Sequence, residues 1–227
     1  MNEQAAFLTD WVLPNAPVRQ WVVSFPIPLR FWMARDPELL TLVLAQVVRI
    51  LAGFQKRRAQ AQGFAAGESG SVTLVQRFGG SVNLNVHFHT LLIEGVYREE
   101  AGHAVYHELE APSNEEVRQV LEQIQKRVVR LLIRKGYSLE KRPESNEQEC
   151  FDAGEPTLTE LCQGASVQNR VALGPRSGQR VRKLGSFGIK GEAAFVEGPR
   201  CASMAGFSLH ANTAVAAGEK DRLEKLC

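Results

Sequence analysis

The sequence predicts an α+β fold in which helices pack on a central antiparallel sheet. Strand-like segments occupy residues 71–78 and 84–96, and only five residues join them, a length that suits an antiparallel hairpin. Two long segments carry apolar residues at helical spacing and predict the packed helices. With 227 residues, 44% of them hydrophobic, the chain can bury a core, and we treat 1–227 as a single domain.

The first predicted elements are a strand and a helix. Residues 20–26 (QWVVSFP) are rich in strand formers and are followed by turn-prone prolines at 26 and 28. Asp36 is a suitable N-cap, and Pro37 fits the first turn of a helix. Apolar residues recur at helical spacing from Leu39 to Phe54, which predicts that this helix buries one side.

The hairpin is followed by a short strand and the most regular helix of the chain. Residues 104–109 suit a third strand. Ser113 and Glu116 form the sequence pattern of a capping box, and Gly136 is a suitable helix stop. The helix predicted between them, 114–135, carries an apolar stripe and should bury it against the sheet; the stripe includes Val117, Leu121, Ile124 and Val128.

The second half of the chain is less regular. The acidic, polar stretch 140–155 predicts an inserted loop, which we place at 138–156. A short helix is predicted at 157–164, a strand at 205–214 and a last helix from Glu219.

Composition sets the protein class but does not identify a partner. A net charge of +2 is too small to indicate nucleic-acid binding by itself. The four cysteines lack metal-ligand spacing and predict reduced thiols, which favours a cytoplasmic protein. We expect no membrane partner, because no apolar run reaches about 18 residues and the N-terminus lacks a signal-peptide pattern.

The chemistry-bearing motif is His87-Phe88-His89 within the second hairpin strand. Side chains alternate along a strand, so His87 and His89 share a face and lie about 6.5 Å apart along the backbone. Two imidazoles at that separation can converge on one divalent cation, while Phe88 anchors the opposite face in the core. The alternative is a pair of structural histidines hydrogen-bonded on the polar face of a strand.

Around this motif, the segment VTLVQRFGGSVNLNVHFHTLLIEGVY resembles the central hairpin of the HUH endonuclease superfamily. It is similar in particular to rolling-circle transposases of insertion sequences, the two-tyrosine transposase family. Further stretches resemble the same family in the same order: VLPNAPVRQWVVSFPIPLRF, RVALGPRSGQRVRKLG, and GFSLHANTAV followed by DRLEKLC.

The resemblance implies a transposase that nicks single DNA strands at the ends of a mobile element. In that family paired histidines hold a divalent cation, and a tyrosine hydroxyl attacks the phosphodiester. His87 and His89 take the position of that pair. We expect Mg²⁺ or Mn²⁺, because Mg²⁺ prefers oxygen ligands and imidazole suits Mn²⁺ better.

The family resemblance also implies a third polar ligand. Gln76 is the first candidate, because it lies on the partner strand of the hairpin and its amide oxygen can coordinate; the alternative is a core or edge glutamine without a ligand. His210 is the second candidate, since it alternates with Ser208 and Asn212 on one face of the predicted strand 205–214.

The sequence departs from the family pattern at the nucleophile. The family's tyrosine is expected on a helix after the last strand, but the three tyrosines here are Tyr97, Tyr106 and Tyr137. Tyr97 would lie about 26 Å from His89 if both belonged to one strand. Family members also carry a cysteine-rich zinc module before the lead-in strand. We therefore expect a transposase core truncated at both ends, with its nucleophile beyond Cys227.

The basic, glycine-rich tract 169–190 is the predicted DNA contact. Arginine donors and exposed backbone amides suit phosphate oxygens; the alternative is a flexible loop without a partner. Its basic residues are Arg170, Arg176, Arg180, Arg182, Lys183 and Lys190. Two further hypotheses remain open for the whole chain: a non-catalytic DNA-binding fragment, and an unrelated His-x-His metalloenzyme.

Overall fold

A computed structural model describes residues 2–79, 84–137, 175, 177–178 and 198–227. In chain order these residues form α1 (Asn2–Phe7), a π-helical turn (Leu8–Val12), β1 (Val18–Ser24), α2 (Ile27–Arg35), α3 (Pro37–Ala61), β2 (Ser71–Phe78), β3 (Leu84–Ile93), β4 (Gly95–Glu100), β5 (His103–Glu108), α4 (Asn114–Arg134), β6 (Cys201–Met204), β7 (Phe207–Val215) and α5 (Lys220–Glu224). The predicted loop 138–156 and helix 157–164 lie outside the described residues.

The central sheet has five strands in the order β2-β3-β1-β7-β6, and every neighbouring pair is antiparallel. β1 therefore pairs with both β3 and β7, although long segments of chain separate it from each. This arrangement confirms the predicted α+β class with a central antiparallel sheet and packed helices.

One face of the sheet forms the main hydrophobic core. Trp21, Phe25 and Phe88 are almost fully buried there. The rings of Phe25 and Phe88 meet edge to face, with their centroids 4.9 Å apart. Phe88 thus anchors β3 from the core side, as its position between the two histidines predicts.

Helices α3 and α4 cover this core face and run antiparallel to each other. Asp36 caps α3 by accepting a hydrogen bond from the Leu39 amide at 3.0 Å. At α4 the Ser113 hydroxyl accepts from the Glu116 amide, and the Glu116 carboxylate accepts from the Ser113 amide. Val117, Leu121, Ile124 and Val128 are buried, which confirms the predicted stripe.

Among the described helices, α3 is the one long and apolar enough to cross a bilayer by length and composition. Its apolar side instead belongs to the core: Val43, Val47 and Leu51 are nearly inaccessible to solvent. The helix therefore has the character of a core helix of a folded domain.

The histidine strand is shorter than predicted. The apolar run 84–96 suggested one strand, but β3 ends at Ile93 and Gly95 starts a separate two-stranded sheet with β5. Two tertiary features accompany the break. The Glu94 carboxylate accepts a hydrogen bond from Arg19 Nε at 2.5 Å, and a Cβ at position 95 would collide with the Tyr106 ring.

Two further predicted boundaries were wrong. Pro28 does not continue a turn after β1, because it lies in the first turn of α2, where its missing N–H has no helical partner to lose. The last predicted strand began at residue 205, but Ala205 and Gly206 form the positive-φ turn between β6 and β7.

Candidate metal centre on the open face of the sheet

His87 and His89 lie side by side on the face of the sheet opposite α3 and α4. Their ring centroids are 4.9 Å apart. Directly paired residues on neighbouring strands share a face, so the register identifies their companions. Gln76 and Ser24 pair with His87, and Leu74 and Val22 pair with His89. We call this surface, centred on His87, His89, Val22 and Ser24, the histidine face.

The tautomer of His87 follows from its hydrogen bond. Its Nδ1 lies 2.5 Å from the carbonyl oxygen of Asn85. A carbonyl oxygen can only accept, so Nδ1 carries the proton and the lone pair of the neutral ring is on Nε2. A metal-binding histidine commonly donates its other ring N–H to a carbonyl or carboxylate in this way. His87 is therefore prepared to offer Nε2 to a cation.

His89 is held by the side chain of Gln20 from β1. The Gln20 amide nitrogen lies 3.1 Å from His89 Nδ1, whereas His89 Nε2 is buried without a hydrogen-bond partner among the described residues. A buried polar atom left unpaired in this way is costly, and a bound cation or water would satisfy it. Burial lowers the pKa of His89, and the nearby His87 lowers it further; both effects favour the neutral ring that metal binding requires.

The orientation of the Gln20 carboxamide decides which His89 nitrogen is available. With the amide nitrogen donating to Nδ1, the proton of the neutral ring is on Nε2. A half-turn of the carboxamide presents its oxygen instead, so that Nδ1–H donates and the Nε2 lone pair becomes free. The geometry of the two rings therefore fits a divalent cation, provided that Gln20 adopts this second orientation.

Gln76 is the described side chain best placed to complete the pair. It is exposed and stands directly opposite His87 on β2, about 5 Å away between Cβ atoms at such a pair. In the described ranges no cluster of three His, Cys, Asp or Glu side chains has metal-binding geometry. Besides the hydroxyl of Ser24, which stands opposite His87 on β1, the amide oxygen of Gln76 is a donor that the described part of this face offers.

His210 shares the histidine face but points elsewhere. An extra residue in β7 shifts the register, since Gln20 pairs with Thr213 while Val22 pairs with His210. Without this bulge Ala211 would stand opposite Val22, and His210 would point into the core. The ring nevertheless lies two strands from His89, with Nδ1 3.1 Å from Cys201 Sγ on β6. The structure brings His210 to the same face without bringing it to the histidine pair.

The end of the chain packs on the histidine face. Leu223 of α5 joins Leu13, Val18, Leu91 and Val215 in a small apolar cluster. Leu91 follows His89 on the same face of β3, so this cluster lies directly beside the histidine pair. The helix that follows β7 thus packs on the same face of the sheet as the histidine pair.

All three tyrosines lie among the described residues, and none is on the histidine face. Tyr97 and Tyr106 pair with each other in the β4–β5 sheet. The along-strand distance from His89 to Tyr97 therefore does not apply, because the two residues belong to different strands. Tyr137 follows α4, and its hydroxyl donates to Asp36 Oδ2 at 2.9 Å.

Apart from residues 175 and 177–178, the predicted DNA-contact tract 169–190 falls outside the part of the chain that the structure describes. This holds for each of its basic residues, Arg170, Arg176, Arg180, Arg182, Lys183 and Lys190. Their assignment to DNA remains a prediction from the sequence.

Comparison with known proteins identifies the family. Residues 70–227 match the family model described as "Putative transposase". The chain belongs to this transposase family. The match includes β2, β3 and β7, and therefore Gln76, both histidines of the pair, and His210. No curated protein and no solved structure matches the chain.

Gln20 of this transposase was missed by the sequence analysis. It precedes the matched region and carries no motif of its own. Its role depends on the register of β1 against β3, where it pairs with Leu91 and so lies diagonally across from His89. The strand formers around it predicted β1, but nothing local predicts which neighbour its amide contacts.

Proposed function

We propose that this transposase acts on single-stranded DNA through a divalent cation held by His87 and His89, as HUH nucleases do. The observation that carries the proposal is the buried, unpartnered His89 Nε2 beside the His87 ring. Gln76 supplies the third donor, and Mg²⁺ or Mn²⁺ is the expected ion.

Within this proposal the polar residues around the histidine pair have defined tasks. The Asn85 carbonyl fixes the proton of His87 on Nδ1. Gln20, whose amide nitrogen faces His89 Nδ1 in the structure, does the same for His89 once its carboxamide has turned to present the oxygen. When bound, the cation acts as a Lewis acid that polarises the scissile phosphate and orients it. Ser24 and Ser208 continue the row of His87 across the sheet and place hydroxyl donors where a DNA backbone would run.

The nucleophile is assigned by resemblance to a tyrosine on a helix after the last strand. In-line attack requires it near the cation and the scissile phosphate. The position of α5, packed through Leu223 beside the histidine pair, supports a nucleophile that arrives on this face. Because Tyr97, Tyr106 and Tyr137 lie elsewhere, we expect the 227-residue chain to form no covalent adduct with DNA.

The position of the tyrosines also supports the second candidate function, a non-catalytic DNA-binding fragment. This second candidate lacks the strand-nicking chemistry of the first, but both are functions of a transposase-family protein. Membership in a transposase family, in contrast, removes the basis for an unrelated His-x-His metalloenzyme.

Titration calorimetry tests the metal site. Mn²⁺ should bind at one site in the 227-residue chain, and His87→Ala or His89→Ala should abolish this binding. His103→Ala is the matched control, because His103 is an exposed strand histidine in the other sheet. Equal binding by the wild type and both variants would reject the site.

A denaturing gel tests the nucleophile. The protein is mixed with Mn²⁺ and single-stranded DNA from the end of a related element. Retained binding without a shifted protein band is the expected result. A shifted band that is lost on Tyr97→Phe, Tyr106→Phe or Tyr137→Phe would show that the nucleophile lies within this chain.

A further inference from the structure

The outer surface of the α3–α4 layer carries a group of cations without acidic partners. Every carboxylate of these two helices is used in an ion pair: Glu38 with Lys135, Glu115 with Arg118, Glu116 with Arg58, and Glu122 with Lys126. Six exposed cations have no ion pair among the described residues: Arg49, Lys56, Arg57, Arg127, Arg130 and Arg134. We call these six the helical basic surface.

The antiparallel packing of the helices joins these cations into one surface. Arg57 of α3 reaches Gln123 of α4, with 3.5 Å between its Nη2 and the amide oxygen. Arg127, Arg130 and Arg134 follow Gln123 at spacings of four, seven and eleven residues, so at about 100° per residue they form one stripe along α4. Arg49 and Lys56 lie on the side of α3 turned away from the core.

This concentration of charge stands out because the whole chain has a net charge of only +2. The six cations occupy one side of a two-helix layer whose other side is apolar core. Basic side chains that have no acidic partner among the described residues attract polyanions and bind phosphate oxygens through charge-assisted hydrogen bonds.

We propose that the helical basic surface binds the phosphate backbone of double-stranded DNA. The surface is two helices wide, with axes typically about 8–10 Å apart, and can meet both strands of a duplex. Sites for single strands combine a basic groove with exposed aromatic rings on which bases stack. No aromatic side chain of α3 or α4 is exposed, since Phe54 is buried and α4 contains none.

The helical basic surface lies on the opposite side of the sheet from the histidine face. A phosphate bound by Arg127 or Arg130 therefore cannot also contact the His87–His89 pair. This separation suits a protein that holds the duplex DNA beside the end of a mobile element while a single DNA strand reaches the metal centre. The proposal rests on the proposed function for the identity of the nucleic acid, but its site shares no residue with the metal site.

The experiment measures duplex affinity of the 227-residue protein as a function of salt by fluorescence anisotropy. The test variant carries Arg127→Gln, Arg130→Gln and Arg134→Gln. The matched control carries Arg77→Gln, Arg98→Gln and Lys225→Gln, which removes the same charge from other elements. Circular dichroism and Mn²⁺ titration check that both variants fold and keep the metal site.

Loss of three phosphate contacts should make the plot of log K against log salt concentration less steep. The magnitude of its negative slope should fall by about 2.7, because each contact contributes about 0.9 for duplex DNA. At about 100 mM salt the test variant should bind duplex at least about tenfold more weakly than the control. The His87→Ala/His89→Ala double variant should bind duplex as the wild type does, so a failed metal site would not remove this surface.

Equal slopes for the test and control variants would overturn the proposal. Equal loss of single-strand and duplex binding in the test variant would overturn the assignment to duplex. A third arm uses vesicles of anionic lipid. Binding to these vesicles that depends on the three arginines, without duplex binding, would assign the surface to a membrane and would also overturn the proposal.

Discussion

Replacing Gln20 with leucine should weaken Mn²⁺ binding about 10- to 100-fold, the usual cost of losing a residue that orients a metal-binding histidine. This corresponds to about 1.4–2.7 kcal/mol of binding free energy. The structure supports the magnitude, because Gln20 makes the one described hydrogen bond to the His89 ring, 3.1 Å from Nδ1 in a part-buried setting. Leucine fills a similar volume and removes only the polar contact.

Gln20→Glu should act in the opposite direction. A carboxylate can only accept, so it requires the proton of neutral His89 on Nδ1 and leaves Nε2 free. We expect Mn²⁺ affinity at least equal to that of the wild type. Calorimetry measures the affinity, and ¹⁵N NMR of the metal-free protein reports which ring nitrogen of His89 carries the proton.

A merely structural role for Gln20 would affect both variants through stability and would leave the His89 tautomer unchanged. Urea unfolding of each variant separates the two effects. Wild-type Mn²⁺ affinity in Gln20→Leu would refute the positioning role, as would a proton that stays on His89 Nε2 in Gln20→Glu.

Three further predictions concern the elements that support the site. Glu94→Ala should reduce the free energy of unfolding by about 3–5 kcal/mol, because it leaves Arg19 buried without its carboxylate; urea unfolding measures this, and a loss below about 1 kcal/mol would contradict it. Ser113→Ala should reduce the free energy of unfolding by about 1 kcal/mol, because it removes the α4 cap. Ser203→Ala on β6 is the control, because it removes a hydroxyl that caps no helix. Asp36 accepts hydrogen bonds from the Leu39 amide and the Tyr137 hydroxyl, which hold its pKa below the usual 3.8. Its contribution to the stability of the fold is therefore present above pH 3.8 and is lost as the pH falls through the lower pKa of the folded state. Unfolding of Asp36→Asn should depend less on pH below about 4, and an unchanged acid dependence would contradict the assignment.

The sequence predicted the elements whose signals are local. The α4 boundaries follow from the Ser113–Glu116 capping box and from Gly136, whose positive φ ends the helix. The shared face of His87 and His89 follows from strand alternation alone. The sequence placed Gln76 on the partner strand of the hairpin, but its pairing with His87 depends on a register shift between Gln76 and Phe78, because the Phe78–Leu84 pairing alone would put Gln76 opposite Val86.

The sequence could not predict features that depend on contacts between distant segments. Arg19 and Glu94 are 75 residues apart, and their ion pair helps to end β3 inside an apolar run that suggested continuation. The β7 bulge, which turns His210 to the histidine face, is held by Arg19 Nη1 donating to the Ala211 carbonyl at 2.8 Å. Neither contact has a local sequence signature.

The contact between Gln20 and His89 is another long-range feature. It requires β1 to lie beside β3 in one specific register, and a one-residue slip would turn Gln20 to the other face. Strand propensity predicts that β1 exists but does not determine its register. Residues that support a site are harder to predict than the site's own motif for this reason.

Crystals of the 227-residue chain soaked in Mn²⁺ and measured at the manganese absorption edge test the proposed metal centre most directly. We expect one strong anomalous peak within coordination distance, about 2.0–2.2 Å, of Nε2 of both His87 and His89, with the Gln76 amide oxygen as a further ligand. In the same crystals the amide oxygen of Gln20 should accept a hydrogen bond from His89 Nδ1. Full occupancy of Mn²⁺ elsewhere, with His89 Nε2 still without a metal, would contradict the proposed centre.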